Sequence, residues 1–340
     1  MMRTGLGAFL AAFVMTASAS AETRLLDWAD LHGWPNDDHA QAFEVFLETC
    51  RDMKEGDWPA VCAVAAKQTN PRQYFETFFR PVLITDDEDP LFTGYYEPEL
   101  QGSRVQTGKY RFPLYRRPED APAGQWLSRR EIENSGILEN RGLEIAWLES
   151  PVEKFFLQIQ GSGRVKLADG SHLRVGYGGK NGHPYRSVGK ELVRRGIFEE
   201  HQVSAQVIRN WVDENPSEGA ELLHFNPSYV FFREVNEVPA DKGPLGAMNR
   251  SITGGRSIAI DPEFVPLGAP VWLEKDGKTP IRRLMIAQDT GSAVKGAQRA
   301  DIFYGTGQDA GREAGRIRDS GRMILLLPIQ EALARVDGTL

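Results

Sequence analysis

Apolar positions recur at helical spacing along the early part of the chain. Phe43, Phe46, Leu47 and Cys50 fall at i, i+3, i+4 and i+7, one face of a helix. Asp57-Trp58-Pro59 reads as the start of a second helix that contains Cys62. Asn70-Pro71 reads as the cap and first turn of a third, with Tyr74, Phe75, Phe78 and Phe79 at helical spacing. Residues 22–90 are therefore expected to be mostly helical, and the acidic run Asp86-Asp87-Glu88-Asp89 before Pro90 a solvated turn. From Thr93 to about Gln125 the pattern changes to short alternating runs broken by Gly and Pro, which predicts strands. Ser128 and Glu131 form a capping box that opens a short helix ending near Gly136.

Residues 155–159 and 164–167 flank Gly161-Ser162-Gly163 as a predicted hairpin. Tyr185, Val188, Leu192 and Val193 trace a helix stopped by Gly196. Another starts near Ser204, buries Val207, Ile208, Trp211 and Val212, and stops before Pro216. Beyond Asn226 short strands are predicted at 229–233, 257–260, 271–274, 282–287, 302–304 and 323–327, and many short strands separated by turns argue for a barrel.

With 340 residues the chain holds two medium domains or one large one, and 41% hydrophobic and 26% charged residues describe an ordinary globular protein. The N-terminus departs from this: Arg3, a charge-free apolar run over residues 5–14 and Ala19-Ser20-Ala21 before Glu22 predict a secretory signal peptide over residues 1–21. That run is too short to span a bilayer comfortably. Export leads to an oxidising compartment, where Cys50 and Cys62, twelve positions apart on two predicted helices, are expected to form a disulfide. The net charge of -7 argues against nucleic acid as a partner. A glycan contacted through aromatic faces and hydrogen bonds fits better, and 17 Phe, 9 Tyr and 7 Trp supply the faces.

The chemistry concentrates between residues 287 and 305. Asp289 closes the apolar run Leu284-Met285-Ile286-Ala287, and Asp301 opens Ile302-Phe303-Tyr304. A carboxyl at the mouth of a buried strand is desolvated, so it holds a proton near neutral pH and becomes a donor suited to cleaving a sugar acetal. Read alone, the two aspartates also fit a turn cap and a solvated strand edge. The glycine run 176–182 lacks the Lys-Ser/Thr ending of a phosphate loop, and Ser162 between glycines is no nucleophile elbow. The six histidines show no short paired spacing and no cysteine partners, so no metal site is expected.

Several segments together resemble the MltA family of lytic murein transglycosylases, enzymes that cut the glycan strand of peptidoglycan. They are FTGYYEP from Phe92, FPLYR from Phe112, IQGSG from Ile159, NGHPYRSVG from Asn181, NPSYVFF from Asn226, GRSIAIDP from Gly255, and the run 289–305. They occur in the family's order. The C-terminal part resembles the family's 3D module, whose three aspartates match Asp261, Asp289 and Asp301.

The resemblance implies a mainly β fold with helices: a double-psi β-barrel domain, a smaller β-rich domain inserted into it, and a glycan-binding groove between them. The barrel would comprise residues 22–100 and 233–340, with the N-terminal helices, and the insert residues 101–232. Asp301 becomes the catalytic acid and base, supported by Asp261 and Asp289. Thr93, Gly94, Tyr95, Tyr96, Glu97, Gln160, Gly161, Ser162 and Asn181 become candidate substrate contacts, with Glu97 favoured in a structural or binding role over a catalytic one. The implied activity is a lyase-type exotransglycosylase that breaks the MurNAc-β-1,4-GlcNAc bond and leaves a 1,6-anhydro sugar, with peptidoglycan strands as partner and no cofactor. A two-carboxylate hydrolase and a non-catalytic wall-binding protein are the rival readings. Many relatives carry a lipid-modified cysteine after the signal, and none stands there here, so a periplasmic monomer, free or held to the envelope by binding, is expected.

Overall fold

The computed structural model describes residues 21–339, so the expected signal peptide lies outside the described residues apart from Ala21. Strand β1 (Glu22–Leu25) precedes three helices, α1 (His39–Cys50), α2 (Trp58–Ala65) and α3 (Pro71–Phe78). The start signals act as read: Asn70 accepts the Gln73 amide and Pro71 fills the first turn, where its missing N–H costs nothing. Phe79 leaves the helical face and opens β2 (Phe79–Thr85), so the N-terminal region contains two strands that the helical expectation lacked. Cys50 and Cys62 are bonded, with their Cα atoms 5.4 Å apart.

β3 (Leu91–Glu97), β4 (Glu99–Ser103) and β5 (Phe112–Tyr115) follow, then α4 (Arg129–Asn134) behind its capping box, and β6 (Glu144–Leu148). The predicted hairpin at 155–167 is corrected. Its first arm is a helix, α5 (Pro151–Gln160), started by the Ser150 cap and ended by Gly161 in the left-handed region. Phe155, Leu157 and Ile159 alternate like a strand, yet Val152 and Phe155 sit fully buried on a helical face while Ile159 is exposed. β7 (Gly163–Lys166), β8 (His172–Lys180), α6 (Val188–Arg194), α7 (Ala205–Glu214), α8 (Pro216–Phe225) and β9 (Val230–Glu234) complete this part. The last part holds β10 (Ser257–Ile260), β11 (Pro270–Lys275), β12 (Ile281–Thr290), β13 (Arg299–Thr306), α9 (Gly307–Ala314), β14 (Arg318–Asp319), β15 (Gly321–Pro328) and α10 (Ile329–Val336).

Two sheets result. Nine strands run in the order β1-β2-β15-β11-β12-β10-β13-β3-β14, and six in the order β5-β6-β4-β7-β8-β9. The larger sheet draws its strands from both ends of the chain. It contains two parallel pairs, β10 with β12 and β13 with β3, which hairpins alone cannot make. This is the double-psi β-barrel with an inserted β-rich unit. The barrel core, around Trp34, Phe46, Phe75, Phe79, Trp272 and Ile286, continues into the helices of residues 39–78, while the insert has separate apolar clusters.

Glu97 joins the sheets. It ends β3, is fully buried, and accepts from Arg164 at 2.9 Å and Thr306 at 2.7 Å, with Arg174 at 3.2 Å. Arg164 and Arg174 stand on β7 and β8 of the smaller sheet, and Thr306 on β13 of the larger. Tyr96 gives a second link, its amide donating to Gln160 at 3.0 Å.

Candidate active site

Four adjacent strands bring the candidate residues into one row. Thr93 of β3 pairs with Asp301 of β13, Asp301 pairs with Ala259 of β10, and Ala259 pairs with Asp289 of β12. Paired residues project to the same face. The two aspartates therefore stand about 9–10 Å apart at Cα, two strand spacings, with Ala259 on the strand between them. Each is half-buried.

The two carboxyls are held differently. Asp289 accepts three bonds, from the Ala247 amide at 3.0 Å, the Thr290 amide at 2.9 Å and the Tyr95 hydroxyl at 2.8 Å. Asp301 accepts one, from Thr93 at 2.8 Å. Arg299 donates to the Thr93 oxygen at 2.9 Å, which directs the Thr93 proton onto Asp301.

Burial raises both above the usual carboxylate range. Asp289 is pushed up to about 6, with the charge of Asp301 adding to the effect and its three donors opposing it. Asp301 is raised by burial against the pull of Thr93 and Arg299. Two carboxyls in one desolvated row share their titration, and Asp301 has the fewer donors to its charged form. Among the described residues its second oxygen has no hydrogen-bond partner. Tyr95, packed at a tilt against Phe303 with ring centres 5.2 Å apart, stays protonated because burial and the neighbouring carboxylates raise it well above its ordinary value.

The other sequence candidates fall elsewhere. Asp261, buried at the end of β10, accepts from Lys295 at 3.0 Å, Gly296 at 3.1 Å and Glu263 at 3.3 Å. Burial alone would raise its carboxyl, but the Gly296 amide and Lys295 outweigh that and hold it below the usual range. As placed, it pins Lys295 and Gly296. Asn181, 1% exposed, uses its whole amide on Leu127, Pro227 and Tyr229, and Glu97 is locked between arginines. Both side chains are thus spent inside the protein, and for Glu97 this is the structural side of the structural-or-binding role expected of it. Ser162 is buried, and Gln160 turns its oxygen to Tyr96. Gly94 backs onto α9, where a Cβ would lie 2.8 Å from Ala314 Cα. Tyr96 packs on Gly311 from the side of β3 opposite the aspartates, as alternation requires. Gly161 borders open space.

Ala247, Ala259 and Arg299 escaped the sequence reading. Only Arg299 left a signal, standing two residues before Asp301 and so on the same face of the strand. Among the described residues no group of three or more His, Cys, Asp or Glu side chains could hold a metal ion, and no helix is long and apolar enough to cross a membrane.

A double-psi β-barrel interrupted by a second β-rich unit, with two half-buried aspartates either side of a central strand, defines a narrow class of protein. Residues 91–233 match the model of the MltA specific insert domain and residues 256–327 that of the 3D domain. The chain belongs to the MltA family. It is 38% identical over 245 residues to the membrane-bound lytic murein transglycosylase A of Escherichia coli strain K12, a match over 69% of this chain and 65% of that protein's length, slightly under two thirds. The crystal structure of a membrane-bound lytic murein transglycosylase from Agrobacterium tumefaciens superposes with TM-score 0.82 at 31% identity, covering 92% of this chain and 99% of that one. E. coli MltA with bound chitohexaose superposes with TM-score 0.73 at 29% identity, over 90% and 94%.

Proposed function

We propose that this protein is a peptidoglycan lytic transglycosylase that cleaves the MurNAc-β-1,4-GlcNAc bond without water and leaves 1,6-anhydro-MurNAc. The observation that carries this reading is the row in which Asp301, raised by burial and accepting a single bond, stands beside a multiply bonded Asp289. Asp301 donates its proton to the glycosidic oxygen as the C–O bond breaks through an oxocarbenium-like state. The Asp301 carboxylate then takes the proton of the muramic acid C6 hydroxyl, whose oxygen closes on its own anomeric carbon. Proton and electron count close within the sugar, and the nucleophile has the advantage of being intramolecular. Asp289 supplies the negative field that favours the oxocarbenium.

Thr93, Tyr95 and the open backbone at Gly161 border the glycan path in this reading, and Asp261 acts by holding its loop. The barrel is assigned residues 22–100 and 233–340 and the insert residues 101–232. The E. coli relative bound to chitohexaose and the Gln160 link between the sheets support a glycan lying across both units. Export by residues 1–21 to the periplasm, with action on the wall as a monomer, completes the proposal.

A hydrolase would need Asp289 to activate water or attack the sugar. Its two oxygens are already engaged by three donors, which favours the first reading. Asp301→Asn should fold normally, bind glycan and lose more than about 10²–10⁴-fold of lytic rate, because one group serves both half-steps. Mass spectrometry of muropeptides from sacculi is the test. Near wild-type turnover in Asp301→Asn would remove the assignment, and reducing ends in place of anhydro sugars would favour the hydrolase.

A further inference from the structure

The loop that donates to Asp289 is tied to the disulfide hairpin. Ala247 lies in a tight turn in which Leu245 bridges Ser251, Gly246 donates to the Arg250 carbonyl at 2.9 Å, and Asn249 takes a left-handed conformation with φ of 54°. Arg250 forms two bonds with Asp52, at 2.6 and 3.0 Å. Asp52 stands between Cys50 and Cys62, inside the segment their disulfide closes. Beneath this contact a buried relay runs the same way: Gln288 donates to Thr49 of α1 at 2.9 Å and accepts from Ser257 at 2.5 Å. The residue before Asp289 is thereby fixed to the same helix. Gly246 lies against the Gln288 carbonyl, where a Cβ would come within 2.6 Å, so the turn cannot move closer.

We propose that Asp52 and Arg250 are positioning residues for the aspartate row: their ion pair, anchored by the Cys50–Cys62 bridge, aims the Ala247 amide at Asp289. The inference rests on the reading of Asp289 as support for Asp301. The Ala247 N–H favours the charged form of Asp289, so slackening the turn raises the pH at which Asp289 titrates. The other ionisable groups that face Asp289 are Tyr95 and Asp301, which the tether does not touch. A hydrogen bond to a charged group favours that form, so its partial loss reads as a rise of about half a pH unit or more.

The test uses Arg250→Gln, Asp52→Asn and the charge-exchanged D52R/R250D in the oxidised full-length protein. The Asp289 carboxyl is followed by carbon NMR across pH, its resonance assigned with Asp289→Asn, beside anhydro-sugar release from sacculi. Each single variant is expected to raise the Asp289 titration by about half a unit and lower kcat about three- to tenfold with KM unchanged, and the exchanged pair to recover most of both. Because the pair is on the surface, its own contribution to stability is small, and thermal midpoints should hold. An unchanged Asp289 titration in both single variants overturns the proposal. So does loss in the single variants that the exchange leaves unrepaired. A shifted titration in a protein whose wild type releases no anhydro sugar would uphold the tether and overturn the transglycosylase reading instead.

Discussion

Asp289 and Asp301 are both raised by burial and stand on strands either side of β10, so their behaviour with pH is shared. Asp289 titrates near 6 in the folded chain and near 4 when unfolded. A raised carboxyl favours the fold fully below the unfolded value and loses that contribution as pH climbs through the folded one. Asp289→Asn removes the loss. It should be more stable than wild type by about 2–3 kcal/mol at pH 7 and gain nothing at pH 3.5, a contrast that urea melts at the two pH values will show. Equal effects at both would mean that Asp289 is not raised. Lytic rate, by contrast, should fall as pH rises through the shared titration, because only the protonated pair can donate. Residue identity made the pair legible in the sequence, since two aspartates flank apolar runs. The destinations of Asp261, Glu97 and Asn181 were not legible, because each is decided by partners such as Gly296, Arg174 and Tyr229, which only the folded chain brings near.

At the scale of elements, a side-chain cap helps without deciding: α5 reads as a strand in the sequence despite its Ser150 cap, α2 is legible without one, and α8, α9 and α10, which have none, were missed. Ser128, Ser187 and Ser204 each accept the amide three residues on, and the helices they start were predicted. α9 has two internal glycines and no side-chain cap, because Thr306 gives its hydroxyl to Glu97. Its sequence has poor intrinsic helix propensity, and packing supplies what propensity does not. Gly94 and Gly311 let α9 and β3 approach to distances that a side chain at either would forbid. Gly311→Val should collide with the Tyr96 ring, and a loss of about 1–3 kcal/mol in denaturant melts is expected. The α1–α2 hairpin makes a separate prediction. Reducing Cys50–Cys62 should lower stability by about 3 kcal/mol, and both thiols should resist alkylation until reduced. Labelling of the native, unreduced protein would count against the bridge.

Across the whole molecule, the barrel topology was the part least available to periodicity. Strand positions came from alternation and turn residues, but the order of nine strands, with two parallel pairs, follows from which ends of the chain meet. The joint between the sheets concentrates on Glu97. Removing its charge leaves Arg164 and Arg174 without their buried partner, so Glu97→Gln should cost about 3–5 kcal/mol, read from calorimetric melting, far more than an equivalent change in the exposed Glu149 paired with Lys109.

That joint also sets how the molecule answers to its medium. Dissolved ions screen charges that water reaches, with a reach of about 10 Å at 0.1 M salt, and they weaken contacts such as Lys109–Glu149 as brine concentrates. The carboxylate of Glu97 has no exposed surface, so counter-ions cannot come between it and its arginines. The angle at which the two sheets meet is thus insulated from osmotic change, and small-angle scattering profiles recorded from dilute to molar sodium chloride should superimpose.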